Sequence, residues 1–578
     1  MELNAMDRLR QYRLARGPLP ERNWLWPLYG AGFENLGDQG RPVAVPMPRY
    51  GAAELLVRHD ACGLCFSDVK VIGLGQNHPR IRRDMRSSPV VLGHEVSMTV
   101  VGVGETLRDQ YRLGDRFIVQ ADINVGGVGH AYGYEIPGGL SQYGVIDGRV
   151  LNGDEGNYLV PVNAETGYAE SALSEPWACV ISAYNLRYRT GLKPGGTAWI
   201  IGGDLPAALD AQGLTIGAAL DQASHPARLL LTGVPPGFGA WLRERAFLLN
   251  TEVIDVPDLR HPPVSPVDDI VVLGADAGVV EAASPHLAGA GVLAVVANRP
   301  MPRRVAVDVG RIHYDHWLYV GGTGPDLAQA YSRTPVRRGL KPGGRAWFAG
   351  AGGPMGRMHV QRAIETAGAP ATIVCTDINE QRLADLSTGF GGEAAARGIE
   401  WLCPTPRRAA EYEAGMARFR EQGFDDILVL APVPAVITEG GEYLAAGGVM
   451  NVFAGVGRGT MAELELSSIY LKDVRIIGHS ASSIDDLRSA LSQSEAGQLA
   501  PNRSVAAVGS LSAAWEGLRA VRDTAFSGKV VLYPQIKEMP LTTLPELEGR
   551  LPSVFGRLKE GREWTVEAER ELLRVMLP

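Results

Sequence analysis

The hexapeptide GLKPGG occurs twice in this chain, at 191–196, where TAWIIGG follows, and at 339–344, where RAWFAGA follows. After the first copy come short, continuous apolar runs (AWIIGG, ARLLLTGV, DDIVVLGA, GVLAVVAN) separated by Ala-rich helical stretches. Strands that are apolar throughout, rather than alternating, are buried on both faces, the signature of a parallel sheet between layers of helices. Outward from the turn the two halves keep register. VDDIVVLGADAGVVEAASPHLAGAGVLAVVAN (267–298) aligns without a gap with FDDILVLAPVPAVITEGGEYLAAGGVMNVFAG (424–455), IHYDHWLYVGG (312–322) with IYLKDVRIIGH (469–479), and PARLLLTG (226–233) with PATIVCTD (370–377). Asp268, Asp269, Leu287, Gly291 and Ile312 all meet identical residues. Self-similarity of this kind means two copies of one folding unit. The sequence therefore predicts an α/β protein with two tandem doubly wound, Rossmann-like domains.

The flanks have another texture. Residues 40–190 read as short strands and turns (ELLVRH, VVLGHEVSMTVVGVG, DRFIVQADI, LSQYGVI), a compact β-rich domain. From about Ser483 the chain offers two amphipathic helical patterns, IDDLRSAL and AAWEGLRAV, one strand, KVVLYPQ, and a helical tail. In that tail Thr565 is the expected N-cap of VEAERELLRVM, with Glu567 and Glu569 favoured by the helix dipole. This C-terminal part is expected to serve packing or oligomerisation rather than catalysis. The predicted division is 1–190, 191–338, 339–482 and 483–578, the last returning to the first domain and ending in the tail.

Bulk numbers agree with an enzyme. At 578 residues the chain exceeds one core, and 45% hydrophobic with 21% charged residues is ordinary for a soluble protein. A formal net charge of -8 supplies no field to capture nucleic acid or an anionic membrane. The N-terminus, MELNAMDRLRQYRLARG, lacks the apolar run of a signal peptide, and no run of about 18 apolar residues follows, so a cytoplasmic location is expected. Five cysteines in so long a chain are thiols or metal ligands, not a disulfide framework.

Chemistry first becomes visible in ACGLCFSDVK (61–70) and VVLGHEV (90–96). Cys65, His94 and Glu95 offer soft, borderline and hard ligands that together suit zinc. GLCFSD and GHE resemble the G-x-C-x-[ST]-D and G-H-E motifs of the zinc-dependent medium-chain dehydrogenase/reductases, and SEPWACVISAY (174–184) resembles the segment that completes their zinc site, here through Glu175. A glutamate at that place is similar to the polyol branch, which includes sorbitol dehydrogenase and sorbose-1-phosphate reductase. The resemblance implies a GroES-like catalytic domain in the β-rich part. It implies zinc held by Cys65 and His94, with Glu95 and Glu175 binding directly or exchanging with water. Ser67 becomes the hydroxyl that relays the alcohol proton, and Asp68 the acceptor that orients the histidine. Cys62, although it forms C-x-x-C with Cys65, reads as a packing residue, and Cys179, Cys375 and Cys403 read as core. No four-cysteine cluster lies between GHE and Gly191, so one metal per chain is expected.

The second copy reads WFAGAGGPMGRMHVQRAIE and then PATIVCTDINEQRL. A strand runs into a glycine turn formed by Gly350, Gly352, Gly353, Pro354, Met355 and Gly356 and opens a helix, and Asp377 ends the next strand 21 residues on. Glycine admits a pyrophosphate to the helix N-terminus, and an aspartate accepts the ribose hydroxyls while repelling a 2′-phosphate, so NAD is expected over NADP. Compared with the family pattern G-x-G-P-x-G, Ala351 stands where the first glycine belongs. In the first copy the turn GGDLPAALDAQG carries Asp204 near the pyrophosphate position, and Gly233 replaces the acidic residue, so that copy is expected to bind no dinucleotide.

Together these features predict reversible transfer of hydride between NAD(H) and a secondary alcohol of a polyol, sugar or sugar phosphate, in a dry cleft between domains. HPRIRRDMR (78–86) gathers Arg80, Arg82, Arg83 and Arg86 before GHE, where guanidinium forks suit phosphate oxygens and His78 could meet substrate hydroxyls. Two other readings stand beside it: an epimerase or lyase that keeps its NAD, and a non-enzymatic NAD-responsive module. The expected partners are a small-molecule substrate and further copies of the chain in a dimer or tetramer, with neither nucleic acid nor membrane.

Overall fold

The computed structural model of the protein describes residues 5–204, 213–216, 220–332, 336–479 and 481–578. The chain divides into two compact units: Met1–Ser182 with Gly353–Met358 and Ala481–Pro578, and Ala183–Gly352 with His359–Ser480.

The second unit is built on one sheet of 12 strands. One half runs Glu252–Asp255, Arg228–Thr232, Thr197–Gly202, Val267–Leu273, Leu287–Val296 and Leu318–Gly322. The other half continues with Arg475–Gly478, Leu444–Val452, Phe424–Val429, Arg345–Ala349, Thr372–Thr376 and Glu400–Leu402. Each half is parallel and has the order third, second, first, fourth, fifth, sixth strand, the doubly wound arrangement. The two halves meet sixth strand to sixth strand, antiparallel, with Tyr319 opposite Ile476. A second antiparallel pair, Val305–Asp308 with Met461–Leu464, again joins equivalent parts of the two copies. Like meeting like in opposite directions is the geometry of a two-fold axis. One apolar core runs through both copies, from Trp199 and Ile270 to Trp347 and Ile427.

The repeated hexapeptide is a locked turn. Asp268 accepts from Thr197 N at 2.9 Å and from Lys193 Nζ at 2.6 Å, while Asp269 accepts from Lys193 N at 2.9 Å and pairs with Arg189 at 2.8 Å. In the second copy Asp425 accepts from Arg345 N at 2.9 Å and Lys341 Nζ at 2.6 Å, and Asp426 accepts from Lys341 N at 2.8 Å and pairs with Arg337 at 2.7 Å. The Asp-Asp pair that opens each fourth strand thus staples the turn that opens each first strand. Beyond the turn, Trp199 Nε1 donates to Thr232 Oγ1 and Trp347 Nε1 to Thr376 Oγ1, both at 2.9 Å.

The first unit carries an eight-stranded sheet in which Leu55–Gly63 lies between Glu95–Val103 and Lys529–Tyr533, all antiparallel neighbours. The C-terminal chain therefore enters the sheet beside the first motif strand. Thr565 caps helix Val566–Met576, its Oγ1 accepting from Ala568 N at 3.0 Å. Glu569 does more than favour the dipole: its buried carboxylate accepts from Tyr168 N at 2.6 Å, Ala169 N at 2.7 Å and Tyr533 Oη at 2.9 Å. It closes the N-terminus of helix Tyr168–Ala172, whose first N–H groups have no partner within the helix.

Candidate metal centre and cofactor turn

Strand register assembles the first site. Gly63 lies opposite Glu95 on one side and Val531 on the other. A side chain at Gly63 would put its Cβ 2.1 Å from Glu95 Oε2, so only glycine lets the carboxylate lie across the strand. Two residues on, Cys65 caps helix Phe66–Leu74, and Asp68 in the first turn accepts from Cys65 N at 3.0 Å. The Cys65 thiol, His94 and Glu95 place one ligand atom each within 4.8 Å of one another. Ser67 Oγ lies 3.5 Å from Cys65 Sγ.

The electrostatics of this cluster favour a cation. His94 Nδ1 is 3.4 Å from Asp68 Oδ1. Burial alone would lower the His94 pKa, but the Asp68 carboxylate and the Cys65 sulfur raise it well above the usual imidazole range. Glu95 Oε2 is buried without a hydrogen-bond partner, and an unsatisfied carboxylate oxygen beside a thiol and an imidazole fits a zinc ligand set.

Glu175, on helix Ser174–Ser182, lies outside the 4.8 Å set but faces the same groups. Burial raises its pKa to about 7, with Glu95 and Asp122 adding and His94 and Lys529 opposing. Lys529 belongs to KVVLYPQ, in the C-terminal part expected to serve packing or oligomerisation, yet its Nζ is 2.5 Å from Glu95 Oε1, buried against it. Burial alone would lower the lysine's pKa, and Glu95 holds it above the ordinary value. Nothing local in KVVLYPQ signals this contact, because it arises from a pairing 434 residues apart.

The arginine cluster is only partly available. Arg83 is spent on the carbonyls of Tyr134 at 2.8 Å and Glu135 at 3.1 Å, and Arg80 pairs with Asp122, while Arg82 and Arg86 are exposed. His78 lies 5.4 Å from the Tyr134 ring, which lies 6.1 Å from the His94 ring. Burial, Arg80 and Lys70 all lower the His78 pKa, so two cations flank this imidazole. Cys62 is buried as expected, with its thiol against Gly93, and Cys375 is buried too. Cys179 and Cys403 are only half-buried, a correction to their assignment as core.

In the second copy, strand Arg345–Ala349 runs through the turn 350–353 into helix Pro354–Glu365, which contains Met355 and Gly356. Gly350 has φ +88° and packs against the backbone of Ala431, a place for glycine alone. Asp377 Oδ2 accepts from Gly352 N and Oδ1 from Asn379 N, both at 2.9 Å, which aims the carboxylate back at the turn. Gly353 faces open space. In the first copy Asp204 pairs with Arg299, and Gly233 holds the place of Asp377 with φ +56°. Residues 205–212 of its turn lie outside the described residues.

Comparison with known proteins gives the class. Residues 51–152 match the alcohol dehydrogenase GroES-like domain. The chain is 23% identical over 544 residues to mannitol-1-phosphate 5-dehydrogenase of Aliivibrio fischeri, covering 91% of this chain and 93% of that one. It is 29% identical over 197 residues to L-sorbose 1-phosphate reductase of Klebsiella pneumoniae, 32% of this chain and 46% of that one. Among solved structures, an alcohol dehydrogenase described as putative, from Sinorhizobium meliloti 1021, shares the fold with TM-score 0.50 at 15% identity, covering 89% of this chain and all of its own. The protein is an oxidoreductase with an alcohol dehydrogenase GroES-like domain and a Rossmann-type sheet. Among the described residues no helix is long and apolar enough to cross a membrane.

Proposed function

We propose that the protein is a zinc- and NAD-dependent dehydrogenase that interconverts a secondary alcohol and ketone on a phosphorylated polyol or sugar. The observation that carries this reading is the convergence of Cys65, His94 and Glu95 beside the Ser67 hydroxyl. Cys65 and His94 hold the metal, and Glu95 and Glu175 bind it directly or exchange with water. Zinc supplies a Lewis acid that lowers the proton affinity of the substrate oxygen. Ser67 Oγ accepts the hydroxyl proton and passes it outward. Asp68 keeps His94 in one orientation, and Lys529 fixes one oxygen of Glu95, leaving Oε2 for the site. NAD would supply the hydride acceptor. The turn 350–356 and Asp377 hold it, which makes 339–482 the cofactor domain and 191–338 its non-catalytic partner.

The phosphate in the substrate class is supported by the cationic setting of His78, between Lys70 and Arg80, and by the phosphorylated substrates in the names of two relatives. The test is NADH production from NAD with a panel of polyol phosphates and free polyols, with and without a zinc chelator. Chelator-sensitive turnover that prefers the phosphorylated series is expected. Cys65→Ser should lower turnover by at least about a thousandfold while NADH still binds; retained turnover would remove the zinc mechanism.

A further inference from the structure

Cys375 and Cys403 come from different strands and meet. Thr372–Thr376 and Glu400–Leu402 run parallel, with Thr372 opposite Glu400, Ile373 opposite Trp401 and Val374 opposite Leu402. One more step of that register sets Cys375 beside Cys403, on the face of the sheet where Ser387 Oγ meets both the Cys403 sulfur and Trp401 Nε1. Neighbouring strands lie about 4.8 Å apart, inside the Cα separations of about 4.4–6.8 Å that a disulfide spans.

The two sulfurs differ in character. Cys375 is fully buried, and burial pushes its thiol well above the ordinary range. Cys403 is half-buried, and the neighbouring Cys375 thiol lowers its pKa against the effect of burial, helped by Ser387 Oγ at 3.2 Å. Ser387 is held in place by Trp401 Nε1, also at 3.2 Å. A partly exposed thiol next to a buried one that can resolve it is the arrangement that peroxide oxidation exploits.

We infer that Cys375 and Cys403 form a reversible redox pair whose disulfide weakens dinucleotide binding to the second copy. Hydrogen peroxide supplies the oxidising equivalents. The Cys403 thiolate attacks one peroxide oxygen, giving a sulfenic acid and hydroxide, which takes up a proton to become water. The Cys375 sulfur then attacks the Cys403 sulfur; the S–O bond breaks, the S–S bond forms, and the thiol proton leaves with the oxygen as a second water. Two electrons pass from the thiols to the peroxide, and a dithiol returns them. The effect on binding follows from position. Asp377 stands two residues beyond Cys375 and Thr405 two beyond Cys403, and Thr405 Oγ1 donates to the Asp377 carbonyl at 2.9 Å. A covalent link here resets the strand ends that aim the Asp377 carboxylate at Gly352. This consequence rests on the reading of Asp377 as a cofactor residue; the S–S bond does not.

The experiment uses the full chain, reduced or treated with stoichiometric hydrogen peroxide, followed by peptide mapping without reduction and by NADH fluorescence titration. Activity is not the readout, because Cys65 is also a target. A peptide linking Cys375 to Cys403 is expected, with the NADH Kd raised roughly three- to tenfold and restored by dithiothreitol. Cys403→Ser should bind NADH like the reduced protein whether or not peroxide is added. The proposal is overturned if no linked peptide forms, if the linked protein binds NADH as before, or if Cys403→Ser remains equally sensitive. Absence of NADH binding in the reduced protein would instead remove the cofactor reading, leaving the peptide map to judge the pair.

Discussion

Glu175 shows how one buried carboxyl couples the candidate metal centre to pH. Its pKa in the folded chain, about 7, lies above the ordinary 4.5. Between those values the folded chain keeps a proton that the unfolded chain has lost, so this group makes stability fall as pH rises from 4.5 to about 7, with no further loss above. In metal-free protein Glu175→Gln should remove that cost. The Tm of the variant minus that of the parent should grow across this interval and then level off; a difference flat with pH would contradict the buried-carboxyl account. At this scale the meeting of Cys65, Ser67, His94 and Glu95 was legible in the sequence, because each pair sits in a short motif and the two motifs lie at strand ends that pair across the sheet. Lys529 was not, since no local pattern records a strand pairing from the far end of the chain. The arginines of 78–86 were legible as a cluster, but their division between carbonyls, Asp122 and solvent depends on tertiary neighbours.

Among elements, the GLKPGG turn has the clearest energetics. Asp425 is buried and satisfies Arg345 N as well as Lys341 Nζ. Asp425→Ala would leave the Arg345 N–H without its partner and free the turn, a loss of about 1–3 kcal/mol in denaturant unfolding. Asp268→Ala should cost less, because Asp268 is more exposed than its counterpart. Equal losses would mean that the staple adds little beyond the backbone turn. The strands of both copies were readable for the reason given by their burial: apolar runs covered on two faces leave an unmistakable composition. The C-terminal helices were also readable from their periodicity and caps, whereas the inward turn of Glu569 was not, because a glutamate in a first helical turn is equally at home in water.

For the second unit as a whole, the join between the copies decides what surfaces remain. The sixth strand of the second copy, Arg475–Gly478, is covered by the first copy, so the homo-oligomer expected from the sequence would have to form through other surfaces. The close fit here is specific: a Cβ at Gly478 would lie 2.2 Å from Ile312 O, and one at Gly310 would lie 2.1 Å from Gly457 O. Gly478→Ala should therefore push the copies apart and lower the thermal midpoint by several degrees, together with faster proteolysis within 183–480. An unchanged midpoint would show that the join adjusts without cost. The sequence announced the duplication but not this pairing, since two tandem sheets and one shared sheet are written with the same strands.

The fused pair also escapes a rule that binds separate identical subunits. In a homodimer every substitution at the contact appears on both sides at once, and a change that suits one partner must suit its mirror image. Here each side is encoded separately. The first copy carries Gly233 where the second carries Asp377, and Asp204 in its own turn, so the two turns can differ without either change being forced on its twin.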